Sequence, residues 1–172
     1  MAGQSTTAAV QDHVTSDAFR SVLGRFCSGV TVITARGPAG PVGLTCQSFS
    51  SLSLDPPLVV LCVSRTSTSW PTVRNSASFC VNVLALSQQP LSERFARSGG
   101  DKFHGVEWTP SPDGAPRLAG ATAWIDCRPH AEYDGGDHLV VTAAVRRVEA
   151  PAEPREPLLF FRGRYARLDG AL

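Results

Sequence analysis

Short β-rich runs follow one another along this chain, each closed by a turn signal, and that succession narrows the possible folds more than any other feature. Val30 to Thr34, Val42 to Gln47, Leu58 to Val63 and Phe79 to Val83 are apolar and β-branched, and longer runs occupy Ala121 to Pro129 and His138 to Val148. A last pair, Leu158 to Phe161 and Arg164 to Leu168, turns at Arg162-Gly163. Helical spacing is confined to three places. Phe19, Val22, Leu23 and Phe26 predict a short amphipathic helix from Ser16, lying across one end or face of a sheet and stopping near Gly29. Ser69 is a suitable N-cap for a helix to about Ser76, and Leu91 and Phe95, four apart, predict another over Ser87 to Ala96. Eight Gly and Pro residues in Ser98 to Gly120 predict a long irregular surface excursion. Seven or eight strands with sequential connections and a few peripheral helices favour a mainly β fold, a closed or nearly closed antiparallel barrel, over a parallel α/β sheet.

With 172 residues the chain is long enough for one core, so a single domain over 16–172 behind a loose tail at 1–15 is the simplest division. Five scattered cysteines without a C-x-x-C pair suggest neither a disulfide framework nor a metal site; Cys27, Cys62, Cys80 and Cys127 read as core packing. A net charge of +1 and no basic run speak against nucleic acid and against an anionic membrane surface. No stretch is apolar enough to cross a bilayer, and the start of the chain lacks the layout of a signal peptide, so a cytoplasmic setting is expected.

Two hydroxyl-rich segments then claim the chemistry. The first, Gly43 to Leu58, sets Thr45, Ser48, Ser50 and Ser51 between two strands; it is either a connector whose hydroxyls bind their own backbone or a wall for a polar ligand. The second, Ser64-Arg65-Thr66-Ser67-Thr68-Ser69, leads into a helix start, where unpartnered N–H groups attract anions; the alternative is a simple cap and a solvated arginine. There is no G-x-G-x-x-G opening a helix, so any nucleotide is held without a Rossmann unit.

The pattern Gly-x-Thr-x-x-Ser-Phe-x-Ser-x-Ser-x-x-Pro-Pro, followed by Leu58 to Val63, resembles the signature of the short-chain flavin reductases, and the resemblance runs from about Ser16 to Leu168. It implies a Greek-key split barrel that dimerises, an NAD(P)H:flavin oxidoreductase using FMN or FAD with NADH or NADPH, and a partner monooxygenase that receives reduced flavin. It implies that Thr45, Cys46, Gln47, Ser48, Ser50 and Ser51 line the isoalloxazine edge and ribityl chain, although Cys46 and Gln47 depart from the usual alanine and asparagine or serine. Ser64, Arg65, Thr66 and Ser69 match the flavin-phosphate positions. Lys102, the only lysine, and Phe103 match an element that closes over the flavin, following Phe95-Ala96. Gly136-Asp137-His138 resembles the family triplet whose histidine faces flavin and nicotinamide, so His138 is the catalytic candidate; a rim residue is the plain alternative. Phe161 and Tyr165 match an aromatic hairpin near the same pocket, or are simple core. A homodimer is expected, its partner covering apolar strand faces and Trp70, Trp108 and Trp124. The other readings are a split barrel with tightly bound flavin doing another oxidation, as in pyridoxamine-phosphate-type oxidases, and a non-catalytic flavin-binding barrel.

Overall fold

The computed structural model describes residues 14–168. The tail expected at 1–15 therefore lies almost wholly outside the described residues. Helix α1 is Ser16–Leu23, followed by β1 (Ser28–Gly29), β2 (Thr31–Gly37), β3 (Gly40–Cys46), β4 (Ser50–Leu54) and β5 (Pro57–Ser64). Helix α2 (Trp70–Arg74) leads to β6 (Phe79–Val83), and after a 3-10 turn at Leu86–Gln88 comes α3 (Gln89–Ala96). The remainder is β7 (Trp108–Pro110), β8 (Pro116–Leu118), the long hairpin of β9 (Ala123–Gly135) and β10 (His138–Glu149), and the short pair β11 (Leu159–Phe161) and β12 (Arg164–Ala166).

Seven strands form one antiparallel sheet in the order β3-β2-β6-β9-β10-β5-β4. The fold is mainly β and antiparallel, as expected, but among the described residues no backbone ladder closes the sheet on itself. Its two edge strands are consecutive in the chain, and Ser48, between them, ties the β3 end to β5 instead. The Ser48 hydroxyl accepts from the N–H of Cys62 (2.9 Å) and donates to its carbonyl (2.8 Å).

Period-two alternation sorts the apolar residues onto two faces. Ile33, Val59, Leu61, Phe79, Val81 and Val141 pack together with Trp70 and Val73 of α2 in one core. Val30, Val32 and Leu84 face the other way, into a second core with Phe95 of α3, Phe103, Leu118 and Leu158. Each large side chain so buried contributes about 1.5–3 kcal/mol.

Several sequence expectations change here. Helix α1 buries none of its residues: Phe19, Val22 and Leu23 are exposed, as is Phe26 beyond its end, so it does not lie across a sheet within this chain. Cys27 is exposed, not core. The stretch 98–120 is no mere surface excursion, because it holds the β7–β8 hairpin and buries Phe103, Ala115 and Leu118. Pro110 and Pro116 face each other at the turn end of the hairpin, the last residue of one strand and the first of the next, where strand prolines are tolerated. Trp70 is buried inside the chain, and Trp124 donates its indole N–H to the Leu118 carbonyl (2.9 Å), so tryptophans are not what needs a partner.

Gly43, the glycine of the Gly-x-Thr motif, is a packing requirement. A Cβ there would lie 2.7 Å from the Phe95 ring and 2.9 Å from the Ile33 carbonyl oxygen. Gly43→Ala is expected to lower stability by about 1–3 kcal/mol through overpacking, read as a lower urea midpoint. An unchanged midpoint would show that α3 is not pressed against β3.

Candidate active site

A cleft of about 390 Å³ opens where the end of β3, the end of β5, the α2 approach and the end of α3 meet. Thr45, Cys46, Gln47 and Ser48 form one wall, Ser64, Thr66, Ser67, Thr68 and Ser69 the facing one, and Arg97, Ser98, Lys102 and His138 the rim. The two hydroxyl-rich segments, separate in sequence, thus become opposite sides of one concavity of the size that takes small organic ligands.

The hydrogen bonds divide these residues into those that build the cleft and those that can serve a ligand. Thr45 donates to the Ser92 carbonyl (2.6 Å), and the Gln47 amide donates to the Ser28 hydroxyl (2.8 Å). With Ser48 also engaged, the first segment presents mainly backbone to the cleft. On the facing wall, the Ser64 and Thr66 hydroxyls bond each other (2.9 Å), and Ser69 makes no cap bond to α2. Its Oγ instead accepts from Lys102 Nζ (3.3 Å), which also donates to the carbonyls of Gly43 (3.1 Å) and Phe95 (3.2 Å). The three protons of the ammonium are therefore spent on the protein, bracing the 99–103 loop against β3 and α3. Burial lowers the Lys102 pKa.

Arg65 turns away from the cleft. Its side chain pairs with Asp134 and donates Nε–H to the Gly136 carbonyl (2.9 Å), while its backbone N–H reaches the Asp137 carbonyl (3.1 Å). Those contacts pin the β9–β10 turn, where Gly136 holds φ +75°, a value that favours glycine. His138 follows at once, across the ladder from Ser64, with Nδ1 2.7 Å from the Asp137 carboxylate. That hydrogen bond is the main reason why the Asp137 pKa is lowered. Burial pushes the Cys46 thiol up, so it is a wall and not a nucleophile.

Of the remaining candidates, Phe103 lies in the second core, edge-on to Phe95 at 5.0 Å. Ser50 lines a neighbouring groove with Phe26 and Phe49, and Ser51 is exposed on β4. Phe161 and Tyr165 belong to the β11–β12 pair, where Tyr165 Oη meets Ser92 Oγ (2.9 Å); neither lines the cleft. Sequence reading passed over Arg97, whose side chain has no hydrogen-bond or ion-pair partner among the described residues. Its position directly after Phe95-Ala96 was the available signal.

The flavin reductase like domain family matches residues 23–169. The reductase subunit HsaB of a flavin-dependent monooxygenase from Mycobacterium tuberculosis is 49% identical over 152 residues, covering 88% of this chain and 81% of that protein. A homologue of nitrilotriacetate monooxygenase component B from Mycobacterium thermoresistibile superposes with a TM-score of 0.86 at 47% identity, covering 89% of this chain and 86% of the other. The NADH:FAD oxidoreductase SgcE6 of Streptomyces globisporus, solved with NAD and FAD fragments, gives a TM-score of 0.83 at 37% identity, covering 89% of this chain and 92% of that one. By that match and those identities, this chain belongs to the flavin reductase like domain family.

Proposed function

We propose that this protein reduces flavin, FAD or FMN, with NADH or NADPH and delivers the reduced flavin to a monooxygenase partner. The observation that carries the reading is the convergence of two hydroxyl-rich segments and His138 on one cleft in a chain of this family. The donor set suits a flavin: backbone along Thr45 to Ser48 for the ring edge, hydroxyls of Ser64, Thr66 and Ser67 for ribityl and phosphate oxygens, and Arg97 at the rim as the cation. When bound, flavin supplies the two-electron chemistry, its N5 taking the hydride that nicotinamide C4 gives up.

The protein's own part is positioning. Ser48 holds the β3 end on β5 so that the ring wall keeps its shape, and Lys102 braces the loop that borders it. Arg97 fills the role that sequence reading gave to Arg65 and Lys102, whose donors are used elsewhere. NADH oxidation stimulated by added FMN or FAD tests the activity, and binding without turnover would replace it with flavin storage. Arg97→Gln is expected to weaken FMN and FAD affinity about 5–30-fold, leaving riboflavin affinity unchanged. Equal weakening for riboflavin would remove Arg97 from the phosphate.

The reading includes a single Greek-key split-barrel domain over 16–172 and a homodimer in the cytoplasm. Five free thiols favour a reducing compartment. For the dimer, the support is the apolar surface of α1 and the residues just after it: Phe19 is 57%, Val22 62% and Phe26 79% exposed, and Phe26 borders the groove beside Ser48. A two-fold partner there completes the outer side of the flavin wall. Sedimentation at micromolar concentration should give a dimer, weakened by Phe26→Ser; a wild-type monomer with full activity would discard it. No helix among the described residues is long and apolar enough to cross a membrane.

A further inference from the structure

Sharing no residue with the cleft described above, a second concavity of about 460 Å³ is lined by Arg20, Ser21, Arg25, Arg162 and Gly163. It forms where the β11–β12 turn docks on the end of α1, the Arg162 N–H donating to the Gly24 carbonyl at 2.7 Å. A Cβ on Gly24 would lie 3.6 Å from the Arg162 Cα, so the two segments are in van der Waals contact.

Two features set this cleft apart. Arg65, Arg74, Arg117, Arg128 and Arg147 each meet a carboxylate, and Arg97 stands alone among the described residues at the rim of the first cleft; what is particular here is that three arginines without a carboxylate share one concavity. Arg20, Arg25 and Arg162 meet none among the described residues, and Asp17, one turn before Arg20, forms no ion pair with any of them. Three like charges in one concavity repel unless an anion joins them. The second feature is backbone cost. Arg162 is the only non-glycine among the described residues with positive φ, at +52°, in a two-residue hairpin turn that favours Asn, Asp or Gly. The strained position holds its guanidinium 5.2 Å above the Phe161 ring, fixed at the cleft edge.

We infer that this cleft is a second anion site, built for the diphosphate of a nucleotide. Guanidinium forks match phosphate oxygens two at a time, and their planes stack on a base. The volume exceeds that of a lone phosphate and falls in the range of small-molecule pockets. Ser21 adds a hydroxyl donor at the same wall.

The test is calorimetric titration of the full-length protein with ADP, pyrophosphate and adenosine, in the presence of saturating FMN. ADP and pyrophosphate should bind and adenosine should not, with affinity falling several-fold between about 50 and 300 mM salt. Arg20→Gln/Arg25→Gln should weaken ADP at least about tenfold and leave FMN affinity unchanged. Arg162→Gly, which relieves the positive φ and so keeps or raises the melting temperature, should weaken ADP about fivefold or more. Absence of ADP and pyrophosphate binding at millimolar concentration overturns the site, as does equal binding by the folded variants. Displacement of ADP by FMN would assign it to the flavin cleft and overturn the proposal equally.

Discussion

Asp126→Ala is expected to cost about 3–5 kcal/mol, the largest single loss of stability this fold offers. Asp126 is fully buried on β9 and takes Arg117 Nη2 at 2.6 Å and Nε at 3.3 Å, while Arg117 Nη1 reaches Glu149. Removing the carboxylate leaves a guanidinium only 12% exposed with one solvent-facing partner. The pair also anchors β8, whose Leu118 N–H donates to Asn82 Oδ1 at 2.7 Å. Asn82 is itself fully buried and donates to Val32 O and Thr34 Oγ1, so the polar network threads three strands of the main sheet. In a domain of this size about 2–4 °C of melting temperature is lost per kcal/mol, so the variant should melt roughly 10 °C lower. Replacing both partners, Arg117→Met/Asp126→Leu, should recover much of that loss, because an apolar pair leaves no buried charge. A double variant as unstable as Asp126→Ala would put the cost in packing.

A second readout isolates the charge. The Cys127 thiol is raised to about 12 by burial and then by Asp126, and the Cys80 thiol is raised by the same two causes. Asp126→Asn keeps the shape and removes the charge, so both thiols should ionise at lower pH than in the wild type, seen as thiolate absorbance.

What the sequence allowed to be read depended on how local the determining contacts are. Alternating and continuous apolar runs fixed β5 and β6 almost to the residue, because burial on a pleated sheet repeats every second position. The hydroxyl segments were legible as a site only because the family signature sets their roles. What the side chains of Arg65 and Lys102 meet within the protein was illegible for a different reason. The groups that take their protons, Gly136 and Gly43, lie 71 and 59 residues away, and no local pattern announces which backbone carbonyl a long side chain will meet. Helix α1 shows the same limit from the other side: its spacing reports an apolar face and is silent on what covers it. The β7–β8 hairpin was hidden because breaker residues mark turns without saying whether the intervening residues pair.

His138→Ala is expected to lower turnover with NADH by roughly 10–100-fold, the scale of a lost positioning contact at the reacting ring, while changing flavin affinity less than about threefold. The geometry is directional. Asp137 holds Nδ1 at 2.7 Å, which leaves the Nε2 edge of the imidazole for the cleft it lines. The Asp137 carboxyl is lowered by that hydrogen bond, so the contact is fully present above the ordinary aspartate value of about 3.9 and is lost only as pH falls through the lowered folded value. Activity across neutral pH should therefore not report Asp137. One step back, Arg65 holds the turn through Asp134 and two backbone carbonyls, all of them solvent-accessible contacts whose individual strength is small. Arg65→Ala should accordingly lower turnover less than His138→Ala, about two- to fivefold on that scale, and should spare FMN affinity because its side chain does not line the cleft. Steady-state NADH oxidation beside fluorescence titration of FMN separates the two effects. Parallel losses of turnover and flavin affinity in His138→Ala would make the histidine a structural rim residue, and a loss of FMN affinity in Arg65→Ala that spares riboflavin would return Arg65 to the phosphate.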